Sequence, residues 1–333
     1  MSNTINLTLE TPTSAIVDYL LSIKVLIKQP KEMTTEKPGE GNMNLVLRFQ
    51  YDEQSLILKQ SKSFVNKYPS IPAPEERIAT EAKFYEYAAQ VTEIADQMPK
   101  LIHYDAENHL TVMEDLGEGS DFMYLYERDK QLTNKEVVSL LGYLSHLHQK
   151  EWTTAEQKAF PDNLKLRQLN HQHIFALPFQ ADNEFDLDQI QEGLTQLAAS
   201  YIADEELKKE ITSLGEEYLE SGKHLLHGDY YPGSWMKVEN QLKIIDPEFG
   251  FMGAVEFELG VFVAHLLMSE HPLETTMQSI KQYYNAKFNQ TKVLKYAGVE
   301  IMRRLIGIAQ LPLQLSLDEK SRLLTTARKM ILG

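Results

Sequence analysis

The spacing of apolar residues changes once along this chain, and that change most constrains the fold. Up to about residue 116, short apolar runs alternate as strands do, in LVLRFQY (45–51), SLILKQS (55–61) and HLTVMEDL (109–116). From about residue 134, apolar residues recur at helical spacing, near 134–150, 186–200, 203–220, 254–269, 273–288, 293–309 and 317–331. This pattern predicts an α+β protein with a small N-terminal lobe, built on an antiparallel sheet, and a larger, mainly helical C-terminal lobe.

The N-terminal lobe is predicted to contain helices as well. Residues 13–27 have helical apolar spacing, and a second helix is expected after Pro74, over EERIATEAKFYEYAAQV. The polar, glycine-containing segment EDLGEGSD (114–121) indicates the boundary, so we predict lobes of residues 1–116 and 117–333. Asn134 is the predicted N-cap of the first helix beyond it. A cleft between two lobes is a common place for a ligand.

Composition excludes several classes of function. The formal net charge of -15 argues against a nucleic-acid binder, which needs a basic face to replace counterions. No apolar run reaches about 18 residues, so no membrane span is expected. The chain has no cysteine, which excludes disulfides, thiolate metal sites and cysteine nucleophiles. The N-terminus does not resemble a secretion signal, and a cytoplasmic location is predicted.

Two acidic tripeptides punctuate the strand-like stretch HLLHGDYYPGSWMKVENQLKIIDPEFGF (224–251). The first is His227-Gly228-Asp229 and the second begins at Asp246. Between them, SWMKV and QLKII flank the turn ENQ, which predicts a hairpin that returns Asp246 close to Asp229. Two carboxylates so placed suit phosphoryl transfer, in which one group accepts a hydroxyl proton and another holds magnesium against nucleotide phosphates.

The N-terminal lobe offers the complementary groups. In the turn GEGNMNLV, around Gly41, Asn42 and Asn44, backbone amides could approach phosphates. Lys59 lies in an apolar strand, where burial without a partner would be costly, and Glu81 on the following helix is a suitable partner. A strand lysine held by a helix glutamate is the arrangement that protein-kinase-like folds use to contact nucleotide phosphates.

Together these segments resemble the aminoglycoside phosphotransferase and choline kinase superfamily of protein-kinase-like small-molecule kinases, and within it the methylthioribose kinases. The segments that match, in the order of that family, are EGNMNLVLR, SLILKQ, RIATEA, TVMEDL, LLHGDYYPGSWM, IDPEFGFMG and IMRRLIGIA. A lone HGD triplet would be weak support, but an ordered set across most of the chain is specific.

The resemblance implies a role for each matching residue. Asp229 is expected to be the catalytic base and Asp246 a magnesium ligand, with ATP as phosphate donor. Lys59 would contact its phosphates and Glu81 would hold Lys59. The adenine would meet Met113 and Glu114. The pair Arg303 and Arg304 would lie at the substrate site, although neighbouring helix residues point about 100° apart and one arginine could instead be solvated.

The region around the two acidic tripeptides leaves further roles open. Where most of the superfamily has a metal-binding asparagine, five residues after Asp229, this chain has Ser234, and Glu248 could supply the missing metal oxygen. Tyr230 and Tyr231 border the predicted base and could line the acceptor pocket. The family usually braces its catalytic loop with a helix aspartate, whereas the nearest acid here is Glu258.

The expected reaction is phosphorylation of a hydroxyl of a small molecule, best represented by 5-methylthioribose. Against that acceptor, the loop SKSFVNKYPSIPAPEE lacks the tryptophan that methylthioribose kinases carry, and the chain is shorter than theirs. Another sugar, an amino alcohol or an aminoglycoside stays open as acceptor, and so does a non-catalytic nucleotide-binding role. The choice between ATP and GTP stays open, and a homodimer is possible.

Overall fold

A computed structural model describes residues 4–39, 43–183 and 185–333. The predicted α+β fold, with an antiparallel sheet in its N-terminal part and a mainly helical C-terminal part, is confirmed. The strands are β1 (Met33–Glu36), β2 (Leu45–Tyr51), β3 (Gln54–Gln60), β4 (Phe64–Val65), β5 (Tyr68–Pro72), β6 (Leu101–Asp105), β7 (Leu110–Glu114), β8 (Ser120–Asp121), β9 (His224–Leu226), β10 (Trp235–Val238), β11 (Gln241–Ile244) and β12 (Phe251–Gly253). The helices are α1 (Thr13–Ser22), α2 (Arg77–Ala88), α3 (Asn134–Gln149), α4 (Thr154–Ala159), α5 (Leu164–His171), α6 (Leu194–Ile202), α7 (Glu205–Leu219), α8 (Val255–Met268), α9 (Leu273–Tyr283), α10 (Gln290–Ile306) and α11 (Leu317–Leu332).

The N-terminal sheet has the order β1-β2-β3-β7-β6, and its neighbouring strands are antiparallel. Side chains alternate across it, so Leu45, Leu47 and Phe49 of β2 pack with α1 on one face. The other face presents Val46 and Lys59, which are directly paired across β2 and β3. The strand period therefore separates an apolar core from a face that points toward the C-terminal lobe.

Helix α2 belongs to the other apolar core, although it lies early in the chain. Its side chains Phe84, Tyr85 and Ala88 join the large cluster that includes α3, α8 and α10. Helix α8 is apolar on nearly all sides because it crosses the centre of this cluster. The division of the chain at residue 116 stays a prediction.

Helix α3 begins one residue earlier than its predicted cap implies. Thr133, not Asn134, is the N-cap, and its hydroxyl accepts a hydrogen bond from Glu136 N while the Glu136 carboxylate accepts from Thr133 N. Threonine followed three residues later by glutamate forms a reciprocal capping box. Asn134 could not form one, because the residue three positions after it is the apolar Val137.

Two small sheets in the C-terminal lobe set the predicted acidic loops side by side. β9 and β12 are antiparallel, with Leu226 opposite Phe251. β10 pairs with β11 as the predicted hairpin, with Trp235 opposite Ile244, and also with β8. The Asp229 loop (residues 227–234) thus follows β9 and leads into β10, and the Asp246 loop (residues 245–250) connects β11 to β12.

Candidate active site

The Asp229 loop is held by one glycine conformation and two hydrogen bonds. Gly228 has φ +84°, and a Cβ there would lie 2.1 Å from the Phe249 carbonyl oxygen, so the position requires glycine. Gly228 N donates to Glu258 Oε1 at 2.9 Å. The buried His227 ring donates from Nε2 to the Ile245 carbonyl at 2.8 Å. These contacts aim the next side chain, that of Asp229, out of the core.

Asp229 lies beside a pair of buried arginines. Its Oδ1 is 3.8 Å from Arg304 Nη2, and its side chain is 29% exposed. Burial raises the pKa of Asp229 above the ordinary value, although Arg304 and Arg303 act in the opposite direction. A carboxylate with a raised pKa and an open side is suited to accept a proton.

Ser234 joins the two acidic loops. Its Oγ donates to the Asp229 carbonyl at 2.8 Å, and its own carbonyl accepts from Ile245 N at 3.0 Å. Asp246 follows directly with φ +64°, a left-handed conformation that is uncommon outside glycine. The predicted hairpin is therefore confirmed, and it brings the loop carrying Asp246 against the loop carrying Asp229.

Lys59 connects the N-terminal sheet to both α2 and the Asp246 loop. Its Nζ is 2.8 Å from Glu81 Oε2, forms a short ion pair with Asp246 Oδ1, and is almost fully buried. Burial works against the charged lysine, but Asp246 and Glu81 outweigh it and raise the pKa of Lys59. Burial also raises the pKa of Glu81, to about 7, while Lys59 opposes the shift. Lys59 lowers the pKa of Asp246 despite the burial of that carboxyl.

A cavity of about 700 Å³ opens next to this ion cluster. Lys59, Glu81 and Asp246 lie at its wall, and so do Met113 and Glu114 at the end of β7. Its apolar lining comes from Val46, Ile57, Leu116, Met236 and Ile245. An apolar cleft with charged groups at one end suits a ligand that joins a flat apolar ring to an anionic tail.

The Asn44 side chain does not line this cavity, and the approach of its backbone amide to phosphates stays a prediction. Its Nδ2 donates to Glu248 Oε2 at 2.8 Å, and its Oδ1 accepts from Arg77 Nε at 2.9 Å. The side chain is buried, and both ends of its amide are hydrogen-bonded within the protein. The predicted contacts Gly41 and Asn42 lie outside the described residues.

The residues predicted to bind a metal offer few oxygen ligands. The carboxylates are those of Asp246 and Glu248, and Ser234 keeps lone pairs on Oγ after donating to Asp229. The described residues include no group of three or more histidine, cysteine, aspartate or glutamate side chains arranged for a metal. Two carboxylates fit Mg²⁺, which retains waters and takes further oxygens from substrate phosphates rather than from a protein cage.

The two arginines of α10 share one buried carboxylate, that of Glu300. Arg304 Nε donates to Glu300 Oε1 at 2.7 Å, and Arg303 Nε lies 3.3 Å from Oε2. Both arginines are less than a tenth exposed, so neither is a solvated surface residue. Burial works against the charged form of Arg304, but Glu300 and Asp229 outweigh it and raise the pKa of Arg304. The pKa of Glu300 is lowered, because the two arginines outweigh the effect of its burial.

Sequence reasoning missed Glu300 and the histidine behind it. His265 is fully buried, and burial lowers its pKa to about 4, so the neutral ring donates from Nε2 to Glu300 Oε1 at 3.1 Å. Its Nδ1 then accepts from the Tyr126 hydroxyl at 2.6 Å. The signal in the sequence is the spacing of Glu300 three and four residues before the arginines, which places all three on neighbouring helix positions.

The neighbouring tyrosines face opposite ways. The Tyr231 ring lies 5.2 Å from the Arg304 guanidinium, at the predicted acceptor side. Tyr230 is a core residue, stacked on Tyr143 with its hydroxyl donated to the Leu140 carbonyl at 3.0 Å. The Tyr230 side chain is almost fully buried and so offers no surface to an acceptor pocket, contrary to the prediction.

Glu258 occupies the bracing position noted in the sequence as a departure. Glu258 accepts from Gly228 N through Oε1 and from His148 Nε2 through Oε2, the latter at 2.8 Å. His148 Nδ1 in turn hydrogen-bonds the Tyr284 hydroxyl at 2.8 Å. Glu258 on α8 therefore supports the Asp229 loop, and Glu258 is itself held by His148 of α3, which is bonded to Tyr284 at the end of α9.

Residues 34–291 match the model of the phosphotransferase enzyme family. A methylthioribose kinase of Exiguobacterium sibiricum is 28% identical over 322 residues, which cover 83% of this chain and 80% of the relative. One from Bacillus mycoides is 25% identical over 318 residues, covering 81% and 78%.

Solved structures share the fold at low identity. A choline/ethanolamine kinase family protein from Mesorhizobium loti superposes with a TM-score of 0.55 at 12% identity, covering 97% of this chain and 96% of that one. A spectinomycin phosphotransferase, solved with ADP and spectinomycin, superposes with a TM-score of 0.54 at 13% identity, covering 95% of this chain and 97% of that one.

Among the described residues, no helix has the length and apolar character that a membrane span requires.

Proposed function

Because this chain belongs to the phosphotransferase enzyme family, we propose that it transfers the terminal phosphoryl group of ATP to a hydroxyl of a small, uncharged acceptor, with 5-methylthioribose as the best single candidate. The observation that carries the proposal is the contact of Lys59 with both Glu81 and Asp246 at the wall of the cavity. The Asp229 carboxylate stands on the adjoining loop.

ATP would lie in the cavity with its adenine between the apolar side chains and its phosphates toward Lys59. Met113 and Glu114 would offer backbone groups to the ring. Mg²⁺, held by Asp246 and an oxygen of Glu248 or Ser234, would neutralise charge on the phosphates. Gly41 and Asn42 remain predicted phosphate contacts.

In the proposed reaction Asp229 takes the proton of the acceptor hydroxyl as that oxygen attacks the terminal phosphorus. The bond between this phosphorus and the bridging oxygen breaks, and ADP leaves with the electron pair. Lys59 and Arg304 stabilise the charge that develops on the phosphoryl oxygens, since fixed cations in a desolvated site need no reorganisation.

The charges at the proposed acceptor side support an uncharged substrate. Arg303 and Arg304 are matched by Glu300 and Asp229, so the group is neutral before an acceptor enters. A polycationic aminoglycoside or a quaternary amino alcohol would place additional positive charge beside Arg304, where Glu300 and Asp229 already balance the two arginines. A sugar offers hydroxyls to these groups at no such cost. The relatives at 28% and 25% identity are methylthioribose kinases, which supports methylthioribose among the sugars.

The alternatives that stay open are another sugar, an amino alcohol or aminoglycoside, and a non-catalytic nucleotide-binding role. The absence of a tryptophan in the loop 61–76 keeps the other sugars in view. Homodimer formation and a cytoplasmic location stay predictions.

The test is ADP formation by the purified protein with ATP and Mg²⁺, across methylthioribose, related pentoses, choline and an aminoglycoside. Asp229→Asn is the inactive comparison, and Asp318→Asn, an exposed aspartate of α11, is the matched control. Turnover of methylthioribose supports the specific proposal, and turnover of another pentose alone replaces that acceptor. Nucleotide binding with no turnover of any acceptor, alike in wild type and Asp229→Asn, contradicts the catalytic role.

A further inference from the structure

Arg77 ties three separate backbone segments of the N-terminal lobe together. Its Nη1 donates to the carbonyls of Lys62 and Pro74, both at 2.7 Å, and its Nη2 donates to the Met43 carbonyl at 2.8 Å. The side chain has no exposed surface. A buried guanidinium with this many carbonyl partners fixes the chain before β2 and the connection from β3 to α2 relative to each other.

The remaining nitrogen of Arg77 reaches across to the C-terminal lobe. Nε donates to Asn44 Oδ1 at 2.9 Å and lies 3.3 Å from Glu248 Oε2. Asn44 Nδ2 donates to the same Oε2 at 2.8 Å. The side chains of Arg77, Asn44 and Glu248 are all at most 5% exposed, so Oε2 of Glu248 is held in a contact that is closed to water.

Helix α2 consequently contacts the Asp246 loop twice. Arg77 and Glu81 are one helical turn apart on one face of α2, and Asp246 and Glu248 are two residues apart in the loop. One contact runs from Glu81 through Lys59 to Asp246, and the other runs from Arg77 to Glu248. Only the second includes Asn44, which directly precedes β2, the strand whose Val46 lines the nucleotide cavity.

The two oxygens of Glu248 are used differently. Oε2 receives Asn44 and Arg77, whereas no hydrogen bond to Oε1 is found within residues 4–39, 43–183 and 185–333. Carboxylates that ligate metals are commonly oriented by hydrogen bonds from outside the coordination sphere, and losing those bonds weakens metal binding.

We propose that Asn44 and Arg77 are positioning residues that hold Oε2 of Glu248, leave Oε1 for Mg²⁺, and so couple metal binding at the Asp246 loop to nucleotide binding at β2. This inference rests on the proposed function. It implies a linkage, in which Mg²⁺ tightens nucleotide binding and nucleotide tightens Mg²⁺ binding by the same factor.

The experiment measures the dissociation constant of ADP by calorimetry with and without MgCl₂, with no acceptor present. The measured quantity is the dissociation constant without Mg²⁺ divided by the constant with Mg²⁺. In Asn44→Ala this ratio is expected to fall about tenfold or more, the usual effect of removing a bond that orients a metal ligand. The constant without Mg²⁺ should stay within about threefold of wild type, because Asn44 does not line the cavity.

A mutant cycle separates positioning from a direct effect. Glu248→Gln keeps an oxygen that can accept from Asn44 but loses the anionic ligand, so it should lose the Mg²⁺ effect. Adding Asn44→Ala to it should cause no further loss. Asn183→Ala, which removes a side-chain amide bonded to the Leu177 carbonyl, is the matched control and should behave as wild type. Asn44→Ser, too short to reach Glu248, replaces Asn44→Ala if the latter does not fold.

A wild-type ratio in both folded Asn44 variants, or an additional loss in the double variant, overturns the inference while nucleotide binding still supports the proposed function. A wild-type protein that binds no nucleotide, with or without Mg²⁺, overturns the proposed function and this inference together.

Discussion

Arg304 Nη2 lies 3.8 Å from Asp229 Oδ1, while Nε of the same guanidinium is bonded to Glu300 at 2.7 Å. The first contact is longer than a hydrogen bond and leaves Asp229 free to accept a proton. The second fixes the direction of the guanidinium, so a cation stands beside the carboxylate without neutralising it by a direct bond.

Replacing Arg304 with Met is expected to lower kcat by about 10²–10³-fold, the size of effect found when one donor to developing charge is removed. The dissociation constant of ATP should change little, since Arg304 does not line the cavity beside Lys59 that is proposed to hold the nucleotide. Steady-state kinetics combined with nucleotide titration checks both. Arg304→Lys should recover part of kcat, and an unchanged kcat in Arg304→Met would contradict the proposed role.

Glu300→Gln should destabilise the protein by about 3–5 kcal/mol, because two buried guanidiniums lose their shared carboxylate. Urea denaturation measures the change in the free energy of unfolding. The double variant Glu300→Gln/Arg303→Met should recover part of it by removing one unpaired cation. The matched control is Glu210→Gln, which breaks a pair with Lys295 at the surface and should cost at most about 1 kcal/mol. A cost for Glu300→Gln no larger than that of the control would count against the buried cluster.

His265 makes stability depend on pH between its ordinary pKa of 6.5 and about 4. In this window the unfolded chain binds a proton that the folded protein does not, so the free energy of unfolding should fall as pH falls. The slope from one such group reaches about 1.4 kcal/mol per pH unit. His265→Gln, which can still donate to Glu300, should flatten the curve over this window relative to wild type. Denaturation midpoints at several pH values check this, with His146→Gln at an exposed position as control. Parallel curves for wild type and His265→Gln would refute the prediction.

Glu258→Ala should lower kcat by about 10–10²-fold with little effect on nucleotide affinity. The change leaves Gly228 N without its acceptor, and an unsatisfied buried group costs about 1–3 kcal/mol, which loosens the Asp229 loop. Glu258→Gln keeps an acceptor oxygen and should retain more activity. Glu256→Ala is the matched control on the same helix, since its carboxylate bonds Asn289 N instead. A loss of thermal stability with kcat intact would show that Glu258 has a purely structural role.

The division into a strand-rich and a helical part, the hairpin and the lysine–glutamate pair could be predicted from the sequence, for different reasons. The hairpin between the two acidic tripeptides depends on alternation and a short turn, and the structure has it at 235–238 and 241–244. Lys59 on β3 and Glu81 on α2 are separated by residues 61–76, which include β4 and β5, so their pairing is predicted from the cost of burying a lone lysine and from the protein-kinase-like resemblance. The predicted N-cap of α3 is wrong because Asn134 is a good cap in isolation, and the decisive partner, Glu136, selects Thr133.

By itself, the sequence determined the change from strand to helical periodicity along the chain, the hairpin and the positions of the two acidic loops, because backbone periodicity and turn chemistry act over a few residues. Tertiary structure alone decided that Asn44 bonds a carboxylate 204 residues away instead of facing the cavity, and that Tyr230 turns into the core while Tyr231 faces Arg304. Such partners are chosen when buried polar groups must be satisfied among whichever segments packing brings together, and no local pattern records that choice.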